Sequence, residues 1–146
     1  MKNLKSKSNA ILFMLLLFLS MSLSTQAQAV LSIFKKYGYE QGVTMIQASR
    51  SLMKDYKIRS FKSIAFDDGT CVLPEIRRAI KKDIEGALCI KESFKNGLLT
   101  SGYYQLVSEK PKLNRYLIFK IGEKNKTTLI YIEGELTADD LVELLK

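Results

Sequence analysis

The chain has 146 residues, with 23 basic and 15 acidic side chains, a formal charge of +8, two cysteines and no histidine. Without histidine there is no imidazole to act as general base or metal ligand, and no Ser-His or Cys-His nucleophile pair. The length suits one domain and is too short for two ordinary ones.

Residues 1–29 read as a secretory signal peptide. Lys2, Lys5 and Lys7 form a positive region, Ala10–Leu19 is an apolar run, and Ala27-Gln28-Ala29 closes the stretch with a small-x-small cleavage pattern. The run is about half the ~20 residues that a membrane-spanning helix needs, and Ser20, Ser22, Ser24 and Thr25 dilute it. No cysteine stands beside the cleavage point to take a lipid. Cleavage after Ala29 leaves residues 30–146 as a single domain of 117 residues. It removes three lysines and no acid, so the charge falls from +8 to +5. The expected location is periplasmic or secreted, without a stable membrane anchor, and no nucleic-acid partner is expected there.

In chain order, Val30–Tyr37 is expected to be a helix with Val30, Ile33, Phe34 and Tyr37 on one face, ended by Gly38. Val43–Ser49 follows as a strand. Ser49–Tyr56 reads as a short helix turning Leu52 and Met53 inward. Ser60–Asp67 alternates as a strand, with Phe61, Ile64 and Phe66 as its bulky members, before a turn at Asp67-Asp68-Gly69-Thr70. Val72–Gly86 has the clearest helical spacing, through Val72, Ile76, Ala79, Ile80 and Ile84. Pro74 sits in its first turn and Glu75 near the positive end of its dipole. Leu88–Phe94 and Leu98–Val107 form a predicted hairpin across Asn96-Gly97, the residue pair that a type I′ turn asks for. Gly102 is expected to mark a bulge.

A polar connector, Ser108–Asn114, leads to a strand at Arg115–Ile121, a turn at Gly122–Lys126 and a strand at Thr127–Glu133. Leu129, Ile130, Tyr131 and Ile132 are apolar toward both faces, which predicts a central strand covered on both sides. Gly134 is expected to supply an unusual backbone angle. Thr137 and Asp140 make a capping box for a last helix docked by Leu141, Val142, Leu144 and Leu145. The order predicts an α+β domain with a mainly antiparallel sheet and helices packed on one face.

Few motifs carry chemistry. Cys71 and Cys89 are eighteen residues apart, which is neither a C-x-x-C redox site nor a zinc spacing. In an oxidising compartment they can form a disulfide. The helix expected between them would set them ~20 Å apart, so two buried free thiols stand as the alternative. Asp67-Asp68-Gly69 lacks the alternating ligands of a calcium loop. No glycine-rich phosphate loop occurs. No catalytic residue, metal ligand or cofactor is expected. Two basic clusters are candidates for anion binding: Arg77, Arg78, Lys81 and Lys82 on the outer side of the clearest helix, and Lys110, Lys112 and Arg115 in and after the connector. Glu75 with Arg78 and Lys81 with Glu85 equally suit a solvated helix face. Tyr103, Tyr104, Tyr116 and Tyr131 fall on strands, where sheet packing accounts for them.

The stretches Phe34-Lys35-Lys36-Tyr37-Gly38 with Gly42-Val43-Thr44-Met45, Arg115–Lys120, Thr128–Leu136 and Asp140-Leu141 resemble small exported proteins of Bacteroidota grouped only as domains of unknown function. The resemblance implies an envelope location and an α+β fold, and it carries no catalytic residues. The expected function is an exported, non-catalytic interaction module that binds another envelope protein. The alternative is a binder of an anionic small molecule or glycan through the basic clusters, and a carboxylate hydrolase stands third.

Overall fold

The computed structural model describes residues 27–146. The signal-peptide expectation therefore lies outside the described residues except at Ala27–Ala29. The elements are α1 (Gln28–Tyr37), β1 (Val43–Ala48), β2 (Ile58–Phe66), α2 (Leu73–Asp83), β3 (Leu88–Lys95), β4 (Leu98–Leu106), β5 (Asn114–Ile121), β6 (Thr127–Gly134) and α3 (Ala138–Leu144). The strands form one antiparallel sheet in the order β1-β2-β6-β5-β4-β3, which gives the α+β domain that the pattern of elements predicts. β6 sits between β2 and β5, so Leu129 faces Ile64 on one side and Phe119 on the other.

Alternation along the strands separates two cores. Ile64, Phe66, Leu117, Phe119, Leu129 and Tyr131 meet Val30, Ile33 and Phe34 of α1 and Leu73, Ile76 and Ile80 of α2. The side chains between them, Tyr116, Ile118 and Ile132, turn to the opposite face and pack with Ile58, Leu136 and Leu141. Thus α1 and α2 share one face, as expected, and α3 takes the other. Two hydrogen bonds direct the last turn there: Asn114 Nδ2 and the Tyr116 hydroxyl each donate to the Leu136 carbonyl at 2.9 Å. The Thr137–Asp140 capping box is present.

Several local expectations change. Ser49–Tyr56 is not an α-helix: Leu52 N–H bonds to Ser49 O and only Lys54–Tyr56 coils, as a 3₁₀ turn. Leu52 is 76% exposed, while Met53 packs at the edge of the α3-side core. Gly102 is not the bulge. The ladder slips instead at Ile90 on β3, between Cys89 and Lys91, and at Thr100 on β4, opposite the Ser93–Phe94 step. Gly102 is needed because a Cβ there would lie 2.5 Å from the Tyr104 ring, whose hydroxyl crosses to Glu92 at 2.7 Å. Gly134 has no left-handed angle. Its reason is crowding, since a Cβ would overlap the Lys57 carbonyl oxygen and lie 2.9 Å from Ile58 Cα. Asn96 and Gly97 do adopt the positive φ of the expected turn, at 53° and 74°.

These two glycines give a contrast. Gly134→Ala meets backbone that no side-chain rotation relieves and is expected to cost about 3 kcal/mol. Gly97→Ala meets open space and bears only the left-handed penalty, about 1 kcal/mol. Urea denaturation of both variants checks the order, and equal losses would contradict it.

Candidate functional site

The N-terminal helix lacks a local cap. Ala27 precedes it and offers no side-chain acceptor. Asp83, the last residue of α2, does that work from 53 residues away: Oδ2 accepts from Val30 N–H at 2.7 Å and Oδ1 from Ala29 N–H at 3.2 Å. Asp83 is itself buried. Desolvation pushes its carboxyl above the ordinary 3.8, against the opposing pull of the two N–H groups and Lys82. At the other end of α1, Lys36 donates to both Glu75 oxygens at 3.0–3.1 Å, and the Tyr37 hydroxyl donates to the same carboxylate. The two helices are thereby tied antiparallel at both ends.

Fixing α1 in this way leaves a groove of about 600 Å³ between it and strands β1 and β2. Leu31, Phe34 and Met45 give it apolar wall, Gln47 lies along it, and Lys35, Lys62 and Lys82 bring three ammonium groups to it. No carboxylate lines it, and none of the three lysines takes part in an ion pair with a described residue. Such a surface suits an anion that also carries an apolar body.

The groove divides the first basic cluster. Lys82 belongs to it. Arg77 lies on the opposite flank of α2 and donates to Leu99 O at 3.1 Å, toward the β3–β4 hairpin. Arg78 folds back on Pro74 O of its own helix, and Lys81 is exposed. The second cluster does not assemble either. Lys110 and Lys112 are exposed, whereas Arg115 is half-buried with Nε 3.4 Å from Glu133 Oε2, close enough for ion pairing but not aligned for a hydrogen bond. Sequence reasoning missed Lys35 and Lys62, because their proximity to Lys82 arises only from packing α1 across β2. It also missed Arg50, Lys54, Lys57 and Arg59, which surround Glu135 in a shallow pocket, with Arg59 pairing to that glutamate.

The face opposite α1 and α2 is covered unevenly. Seven-residue α3 shields the end at Tyr116 and Ile132. Beyond it Phe61, Ile90, Tyr103 and Ile130 are only partly buried, and Ile46 on edge strand β1 is 53% exposed. The result is an apolar strip from β1 to β4, interrupted by Ser63 between Ile46 and Ile130 and carried across β5 by buried Ile118.

Other candidate chemistry resolves into structure. Cys71 and Cys89 are free, and both are exposed rather than buried. Partial desolvation, then Glu92, raises the Cys89 thiol above 9.0, which disfavours a reactive thiolate. Asp68 caps its own turn through Thr70. Tyr131 and Tyr104 are pushed far up by burial and then by Glu133 and Glu92, which accept from their hydroxyls. Among the described residues no group of three or more Cys, Asp or Glu is arranged to hold a metal ion. No described helix is long and apolar enough to cross a membrane.

A family profile described as a family of unknown function (DUF6108) matches residues 18–145. No curated protein and no solved structure matches the chain.

The α1 tether has a pH signature. Tyr37, and after it Lys36, hold the Glu75 carboxyl below its ordinary 4.5. Its folded value is the lower one, so its stabilisation is complete above pH 4.5 and drains away as pH falls through that folded value. Asp83 has the opposite sign, losing stability as pH rises from 3.8 through its raised value. Glu75→Gln should therefore be less stable than wild type near neutrality and converge with it as the pH falls through that folded value in urea titrations. A gap that stays constant across that range would count against the tether.

Proposed function

We propose that this chain, which belongs to the family of unknown function DUF6108, is an exported, non-catalytic interaction module of the cell envelope. It docks a second envelope protein on the sheet face that α3 leaves open. The observation that carries this reading is the apolar strip Ile46, Phe61, Ile130 and Tyr103, which the described helices do not cover. The secretory pattern of residues 1–29 and the resemblance to small exported Bacteroidota proteins support the envelope setting. The absence of histidine from the sequence, the ion-paired or capped carboxylates and the protonated tyrosines support a binding role over a catalytic one.

A second reading rests on the groove. Lys35, Lys62 and Lys82 around Leu31, Phe34 and Met45 favour an anionic amphiphile, with its charged head on the lysines. This narrows the anion-binding alternative to a site that only Lys82 of the original basic clusters enters.

Photo-crosslinkable residues placed in cells at Ile46, Ser63 and Tyr103 should capture one dominant envelope protein, while the same probe at Arg78 or Lys81 on the helix face should not. Capture from both faces alike, or from neither, would sink the docking proposal. For the groove, calorimetry with a medium-chain fatty carboxylate should show salt-sensitive binding that Lys62→Glu weakens about tenfold. Heat release unchanged by that variant would remove the second reading.

A further inference from the structure

We infer that the Ala29–Val30 bond is a processing site, and that the fold holds a receptor for its product: the Asp83 carboxylate, placed to pair with the α-ammonium released at Val30. The inference rests on the export reading. The small-x-small pattern Ala27-Gln28-Ala29 marks the bond from the sequence side. The structure marks it independently. The two nitrogens that Asp83 engages belong to the residues flanking that bond, Ala29 at 3.2 Å and Val30 at 2.7 Å.

The chemistry of Asp83 explains the placement. The residue is 9% exposed, and it forms no ion pair with a described residue. A carboxylate taken out of water calls for an opposite charge. Lys82 beside it on α2 is exposed, and the titratable group facing it from the sheet is Tyr131, which burial keeps protonated. Hydrolysis supplies the missing cation. A signal peptidase adds water across the amide: the C–N bond breaks, the hydroxyl goes to the Ala29 carbonyl carbon, and the Val30 nitrogen takes up protons to become an ammonium. That nitrogen already stands at hydrogen-bond distance from Oδ2. Its additional N–H bonds can replace the one Ala29 gave to Oδ1. Departure of Gln28 and Ala29 also opens one end of the lysine groove, which both residues line. Because cleavage accompanies export of an unfolded chain, the helical setting of this bond in the folded protein is no obstacle.

The full chain, tagged at its C-terminus and exported in a Bacteroidota host, is read by intact mass and N-terminal sequencing. Val30 is the expected first residue. An uncleaved chain in the cytoplasm overturns export and this inference together, whereas a mature chain starting at any other residue overturns this inference alone. Next, chains starting at Val30 and at Gly-Ser-Val30 are compared, each with Asp83 and with Asp83→Asn. Asp83→Asn should lower the melting midpoint by at least about 5 °C more in the Val30 chain than in the extended one. Equal shifts would overturn the pairing. Should an Asp83→Asn chain not fold, acetic anhydride labelling of the unsubstituted Val30 chain decides the matter. A paired amine acylates at least tenfold more slowly than that of Gly-Ser-Val30, and equal rates overturn the proposal.

Discussion

Everything in this domain hangs on β6. It is the strand through which the β1–β2 pair and the β3–β5 meander become one sheet, and it is apolar toward both faces. Leu129 and Tyr131 serve the core under α1 and α2, while Ile132 serves the core under α3. A strand flanked on both edges and packed on both faces is withdrawn from water over most of its length, and each fully buried aliphatic side chain on it contributes about 2 kcal/mol. Both helical layers, and hence both candidate surfaces, take their positions from it.

Much of this was legible in the residues. Helical spacing located α2, Asn96-Gly97 located its turn, Thr137 and Asp140 located a cap, and the doubly apolar run of β6 placed it centrally. Those signals are local, and local physics decides them. What could not be read depends on distant partners. Nothing near Ala27 advertises a cap for α1, because the cap is Asp83. Gly134 looks like a turn glycine until Lys57 is seen pressed against it. The final helix could dock on either side of the sheet, and the choice was made by Asn114 and Tyr116 reaching for the Leu136 carbonyl. Leu52 reads as core and is solvent-exposed, because its segment is too short and irregular to present a buried face.

The site followed the same rule. Runs of basic residues along the chain suggested clusters, yet α2 distributes Arg77 and Lys82 to opposite flanks, and β5 commits Arg115 to Glu133. The grouping that does form, Lys35, Lys62 and Lys82, draws one residue from each of three elements and has no signature in one dimension. The molecule therefore has two surfaces of unlike chemistry, a cationic groove beside α1 and an apolar strip on the reverse of the same sheet.

The two outer strands differ in a way that governs how copies of this molecule can associate. β3 is interrupted twice in its register with β4 and carries Lys91 and Lys95, features that discourage another strand from adding to it. β1 is short but regular along its whole pairing and has no charged side chain. Lateral growth of the sheet is thus open at one margin only. Two copies meeting there would close on each other and leave only blunted margins outward, so such an association stops at two and does not propagate into a fibre.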